Sequence, residues 1–267
     1  MEPVTPPRPF RLAVNRPSPD HPAARHPRRG VAILPSLFTM GNMFCGYACV
    51  IYAMRGEFEL AAPLIGIAVV LDMLDGRIAR MTGTASEFGV QFDSMADIIS
   101  FGMAPAVLTF AWGLSTLGRL GWAAAFLFVT AAALRLARFN IQTASTDKRY
   151  FVGMPSPAAA GILASTVFAY PEGLTQFRSS LPALLLVVVP ALLMVSTVRF
   201  RSFKTFDLQA RRPFRVLLFF AVLITAIVTH PQSVLVVISY SYLVSPFIGM
   251  IVGRLRRKPD HPAEPAE

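Results

Sequence analysis

Charged side chains are scarce in this chain. Asp, Glu, Lys and Arg make up 15% of its 267 residues, where a soluble domain carries about 25%. With 54% hydrophobic residues and a mean hydropathy of +0.53, the deficit excludes an ordinary soluble domain and indicates a membrane protein. Cysteine is nearly absent as well. Cys45 and Cys49 stand four apart in one apolar stretch, on one face of a helix, where a disulfide does not form. With four histidines and no Cys/His spacing typical of zinc, a zinc centre is excluded too, and the two thiols are expected to be packing groups. No short apolar segment follows Met1, so no cleavable signal peptide is expected.

What is present is a series of hydrophobic runs, near 36–54, 59–78, 96–116, 121–138, 156–171, 180–197, 213–229 and 232–252. Most approach the roughly 20 residues needed to span a bilayer, and 156–171 is marginal. The expected fold is therefore all-α: a polytopic membrane bundle of about eight helices. The net charge of +10 falls between these runs. With the N-terminus in the cytoplasm, 22 of the 25 Lys and Arg lie inside, and only Arg55, Arg119 and Arg178 lie outside. That bias predicts an even number of spans with both termini cytoplasmic. It also places the positive charge against anionic lipid rather than nucleic acid. Residues 1–32, rich in Pro and Arg, are expected to be a disordered tail, 33–253 the membrane domain, and 254–267 a second polar tail. Pro35-Ser36 suggests a helix start with Ser36 as N-cap.

The acidic residues are few, yet four are concentrated in one stretch: Asp72-x-x-Asp75-Gly76-x-x-Ala79-Arg80, then Gly89-x-x-x-Asp93-x-x-x-Asp97. The apolar part of the second run, Leu60 to Leu71, is too short to cross alone, so its helix must continue through Asp72, Asp75 and Arg80. The third run mirrors it, with Asp93, Asp97 and Ser100 in its first turns and a kink expected at Pro105. Spacings of three and four put each aspartate pair on one helix face. A short turn over Met81–Phe88 and antiparallel packing would then gather all four carboxylates near the cytoplasmic end of the bundle. An Asp at membrane depth costs roughly 2.5–3.5 kcal/mol on insertion scales, so four together call for cations. Hard oxygen donors without His or Cys suit Mg²⁺, Mn²⁺ or Ca²⁺, and metal ions there would neutralise a polyphosphate. Gly76, Ala79 and Gly89 leave room for a ligand or a neighbouring backbone, and Arg80 suits a phosphate oxygen. An ion-coupled transporter would also use such aspartates, but it commonly shows paired interrupted helices in two related halves, and only one such pair is seen.

The eight fixed positions Asp72, Asp75, Gly76, Ala79, Arg80, Gly89, Asp93 and Asp97 resemble the signature of the CDP-alcohol phosphatidyltransferase family. That resemblance implies an integral membrane enzyme with six core helices, here plus two, that moves a phosphatidyl group from a CDP-linked lipid to an alcohol and releases CMP. It implies Asp72, Asp75 and Asp93 as ligands of two divalent ions, Mg²⁺ or Mn²⁺. Asp97 is implied as general base, also near the second ion, and Gly76, Ala79, Arg80 and Gly89 as contacts to the CDP-lipid. A homodimer in the cell membrane, with its active site on the cytoplasmic side, is implied as well.

Further stretches resemble the bacterial and archaeal phosphatidylserine synthase branch: Leu37–Asn42, Ser100–Ala106, Arg135–Asn140 and Gly153–Ala159. They imply CDP-diacylglycerol and L-serine as substrates. Relatives that use glycerol phosphate usually carry Lys after the fourth aspartate, where this chain has Ile98; inositol and choline are the other acceptors of this chemistry. Arg135 and Arg138, three apart, suit a carboxylate, and equally suit anchoring a helix end to lipid headgroups. Asn42 and Ser100 complete the candidate acceptor residues, although an Asn in an apolar run also serves helix–helix hydrogen bonding. Pro155 and Pro157 are expected to shape the start of the fifth span. The basic segment 199–215 is expected to be a solvated, lipid-facing surface.

Overall fold

The computed structural model describes residues 33–82, 86–142, 150–201 and 213–256. The expected tail 1–32 and most of 254–267 lie outside the described residues. The chain folds as helices α1 (Ile33–Met54), α2 (Phe58–Thr82), α3 (Glu87–Asp97), α4 (Ala104–Trp112), α5 (Arg119–Gln142), α6 (Ser156–Ala169), α7 (Phe177–Val195), α8 (Pro213–Thr229) and α9 (Pro231–Arg256). Two three-residue strands, β1 (Tyr150–Val152) and β2 (Arg199–Arg201), pair antiparallel. This ribbon was not expected; runs so short lack a readable period of two. It occupies the start of the segment 199–215 that was expected to be plain lipid-facing surface, and residues 202–212 lie outside the described ones.

Among the described residues, five stretches are long and apolar enough to cross a membrane: Pro35–Met54, Glu87–Trp112, Arg119–Ile141, Phe177–Val195 and Pro231–Ile248. The protein is thus a multi-pass membrane bundle, although fewer than eight helices qualify by length and composition. In α2, Asp72, Asp75, Arg77 and Arg80 interrupt the apolar stretch. Helix α6 has 14 residues, about 21 Å at 1.5 Å per residue, short of a hydrocarbon core of about 30 Å.

Three local expectations are corrected. Helix α1 begins at Ile33, so Ser36 lies in its first turn and is not its cap; Pro35 is tolerated there because first-turn N–H groups have no helical acceptor. Helix α2 runs on to Thr82 and α3 opens at Glu87, so the connection is shorter than Met81–Phe88; Ser86 caps α3, its hydroxyl accepting from the Gly89 N–H at 3.0 Å. The third span starts at Glu87, so Asp93 lies in its second turn and Ser100 well inside it, and its irregularity precedes Pro105 as a π-helical turn over Ile98–Met103. The Ala104 N–H reaches back to the Ile99 carbonyl there, which accommodates a proline that lacks an N–H.

The core lies between α1, α2, α4, α5, α6 and α7, and includes Ile65, Phe101, Leu108, Phe128, Ile162, Leu163 and Val187. Cys45 and Cys49 are free and buried in it, as expected. Helix α1 packs along α2 and also against α3 and the π-helical turn, whereas α2 and α3 do not pack closely on each other. Gly46 permits a close approach on that side, since a Cβ there would stand 2.8 Å from the Ser100 Cα. Helix α1 is therefore the wall that aligns the two acidic helices while leaving a cleft between them.

Candidate active site

The cleft holds the carboxylates. On α2, Asp75 is buried at 4% exposure, with Asp72 one turn earlier and half-buried; on α3, Asp93 and Asp97 are half-buried. Asp72, Asp75 and Asp93 each offer an oxygen within 4.8 Å of the others. Asp97 lies within electrostatic range of all three. The expected convergence is present, but its route differs: the helices stand apart and the side chains reach across. Like charges explain this, since tight α2–α3 packing would press four carboxylates together without space for a counter-ion.

Helix α1 supplies the supports. Thr39 donates a hydrogen bond to Asp75 Oδ2 at 3.0 Å, and Asn42 Nδ2 lies 3.4 Å from Asp97 Oδ1. Ser100, fully buried, donates to the Asn42 carbonyl at 2.9 Å, so it joins α1 to the π-helical turn. Of the candidate acceptor residues, Asn42 therefore meets Asp97, and Ser100 meets the backbone behind Asn42. Arg135, on α5, is a cation whose charge reaches both Asp97 and Asp72. Its Nη1 donates to Ser156 Oγ at 2.9 Å, and its guanidinium carbon stands 5.8 Å from the Phe139 ring centre. Arg138, three residues further along α5, is half-buried.

Space remains where the nucleotide contacts were expected. A Cβ at Gly76 would meet nothing within 4 Å, and one at Gly89 only the Ser86 hydroxyl at 3.1 Å. Ala79 is half-buried beside them. Arg80 is exposed, its Nε donating to the Gly76 carbonyl at 2.7 Å.

These residues fit a divalent cation. The donors are carboxylate oxygens only, the chemistry of Mg²⁺, Mn²⁺ or Ca²⁺ sites. Asp93 Oδ1 is buried without a hydrogen-bond partner, which is costly for a charged acceptor unless a cation satisfies it. The positive charge of Arg135 alone cannot balance four carboxylates. Asp72, Asp75 and Asp93 could hold an ion between them.

The family profile of the CDP-alcohol phosphatidyltransferases matches residues 32–247. The chain belongs to that family. Among similar members of the CDP-alcohol phosphatidyltransferase family is the CDP-diacylglycerol–serine O-phosphatidyltransferase of Helicobacter pylori strain J99, 36% identical over 217 residues, covering 79% of this chain and 88% of that one. The protein of the same name from Mycobacterium leprae is 33% identical over 218 residues, 79% of this chain and 72% of that one. An archaetidylserine synthase from Methanothermobacter thermautotrophicus is 34% identical over 169 residues, 62% and 69%.

Three residues at the site were missed in the sequence. Thr39 lies three before Asn42 in the same quoted stretch, so helical spacing could have placed it on the same face. Ser156 sits between the two prolines that drew attention as helix-start residues. Tyr242, on α9, lies within electrostatic range of Arg135, and nothing in its apolar surroundings pointed to it.

Proposed function

We propose that this protein transfers the phosphatidyl group of CDP-diacylglycerol to the hydroxyl of L-serine, forming phosphatidylserine and CMP. The observation that carries the reading is the meeting of Asp72, Asp75 and Asp93 within 4.8 Å beside a separately held Asp97. The names of the similar proteins support the donor and the acceptor. Asp72, Asp75 and Asp93 would hold divalent ions, Mg²⁺ or Mn²⁺, with Asp97 beside the second. When bound, these offset the charge that develops on the diphosphate.

The rest falls to the chain's own side chains. Asp97, steadied by Asn42, takes the proton from the serine hydroxyl. The serine oxygen then bonds to the phosphorus that carries diacylglycerol, and the bond from that phosphorus to the bridging oxygen breaks, releasing CMP. Thr39 keeps Asp75 turned into the cleft. Gly76, Ala79 and Gly89 admit the nucleotide, and Arg80 meets a phosphate oxygen. Arg135 attracts the serine carboxylate, with Arg138 next along the helix. Asn42 and Ser100 serve the acceptor side by fixing Asp97 and the π-helical turn. Positioning and charge neutralisation account for most of the acceleration.

The positive-inside bias supports a cell-membrane protein with the site at the cytoplasmic face. The family supports a homodimer, and the exposed apolar faces of the helices suit lipid. The test is an acceptor screen. Purified protein in mixed micelles receives CDP-diacylglycerol, Mg²⁺ or Mn²⁺, and serine, inositol, glycerol phosphate or choline, and product lipids are identified by mass. Phosphatidylserine is expected as the main product, with stoichiometric CMP. A different headgroup would replace the acceptor, and no metal-dependent CMP release would overturn the reaction itself.

A further inference from the structure

The segment that leads into α6 is tied down more firmly than a helix start requires. Gly153 has φ +84°, a region L side chains rarely adopt, and a Cβ there would run into the Met194 carbonyl. The Gly153 N–H donates to the Val198 carbonyl at 2.9 Å, and the Met154 N–H to the Leu193 carbonyl at 3.0 Å. The Met154 side chain is fully buried. Pro155, with φ −61°, is the N-cap of α6, and Pro157 follows in its first turn. Residues 153–157 therefore form a strap laced to the C-terminal end of α7, with β1 and β2 pairing just before it.

The strap delivers one polar group. Ser156 is 3% exposed, and its hydroxyl accepts from Arg135 Nη1 at 2.9 Å. The other surroundings of Arg135 come from its own helix and from three others. Phe139, one turn along α5, lies against the guanidinium, Asp97 and Asp72 act on it from α3 and α2, and Tyr242 acts from α9. Helix α9 is itself seated on α6 by a hydrogen bond between Tyr240 Oη and Thr166 Oγ1, 3.0 Å apart. A long, flexible cation near two aspartates would swing towards them unless held. Ser156 holds it from α6.

We propose that Ser156, fixed by the strap, is a positioning residue that sets acceptor specificity by orienting Arg135 towards the acceptor's carboxylate. The proposal rests on the serine reading of the site. The side chain of Ser156 does not touch the reacting atoms; it acts through Arg135. A guanidinium with five N–H donors can give one to Ser156 and keep a pair for a carboxylate. Loss of the hydroxyl frees the head group to turn towards the aspartates, which weakens acceptor binding but leaves the lipid nucleotide's contacts on α2 and α3 intact.

The experiment uses the full chain in micelles and measures kcat and KM separately for L-serine and for CDP-diacylglycerol. A parallel series replaces serine with serinol, which keeps the amine and a hydroxyl but lacks the carboxylate. Ser156→Ala is expected to raise the KM for serine roughly tenfold, as for loss of a hydrogen bond to a charged group, with the KM for CDP-diacylglycerol unchanged. The preference for serine over serinol should fall by a similar factor. Ser156→Thr, which keeps the hydroxyl, should restore both, and adding Ser156→Ala to Arg135→Lys should produce little further change. The proposal is overturned if Ser156→Ala moves both KM values together, if serine preference survives in it, or if the two substitutions act additively. Wild-type protein that forms no phosphatidylserine would instead refute the serine reading, so the two failures are separable.

Discussion

The α1–α3 side and the α8–α9 pair are both built from helices of a membrane protein, yet they handle polarity in opposite ways. Helices α2 and α3 carry four aspartates and stay apart, bridged by α1 through Thr39, Asn42 and the Ser100 contact. Helix α8 carries side chains such as Leu217 and Val228, 69% and 76% exposed, and α9 carries Val237, 63% exposed. Apolar exposure of that kind is natural against lipid. The difference shows how the protein divides its work. Hydrogen bonds from α1 support the side where charge must be tolerated, and outward faces are left to the solvent the bilayer provides. The pair is not uniform, however: Tyr240 and Tyr242 of α9 turn inward and pack on the core.

The contrast is broken most severely at Asp97. Asp97→Asn keeps the size of the side chain but removes the base, and turnover is expected to fall about 10²–10⁴-fold, with binding of CDP-diacylglycerol still measurable by competition. Near-normal CMP release by this variant would remove Asp97 from that role. A smaller loss is expected at the support. Thr39→Val deletes a donor to the Asp75 carboxylate while keeping the shape, a change of about 1.5–3 kcal/mol for a hydrogen bond to a charged group, or roughly ten- to hundredfold. It should appear as a higher Mg²⁺ or Mn²⁺ concentration for half-maximal activity, and an unchanged metal titration would show that Thr39 does not hold a ligand. The smallest effect is expected on the outward face. Leu217→Ala or Val237→Ala should leave activity within about twofold and melting nearly unchanged, as for surface substitutions away from packed features. A large loss at either position would mean that the face is covered by protein rather than lipid.

Much of the site was legible because its chemistry is local. Asp72 and Asp75, and Asp93 and Asp97, declare their shared faces by spacing alone, and an excess of carboxylate in an apolar chain already calls for cations. The supports were less legible for a physical reason. A threonine in an apolar helix commonly places its hydroxyl near a preceding carbonyl, and the single Thr39 O–H that turns to Asp75 also lies 3.1 Å from the Pro35 oxygen, so its identity does not reveal a distant partner. The irregularity was expected as a kink at Pro105, whereas the π-helical turn lies over Ile98–Met103, because the sequence marks the missing N–H, not the turn in which the backbone absorbs it. The N-cap at Ser36 failed for a similar reason: capping residues announce a possible start, while neighbouring packing decides which turn is the first.

The chain's composition and spacing alone determined a membrane bundle, two acidic helix faces and a preference for hard cations, because hydropathy and helical periodicity act over a few neighbouring residues. Only the tertiary structure decided that α2 and α3 stand apart on α1, that Asp72, Asp75 and Asp93 gather while Asp97 leans on Asn42, and that Ser156 and Tyr242 reach Arg135. Those relations join residues tens of positions apart, and they depend on how helices pack and where like charges must be kept from touching, which no local pattern encodes.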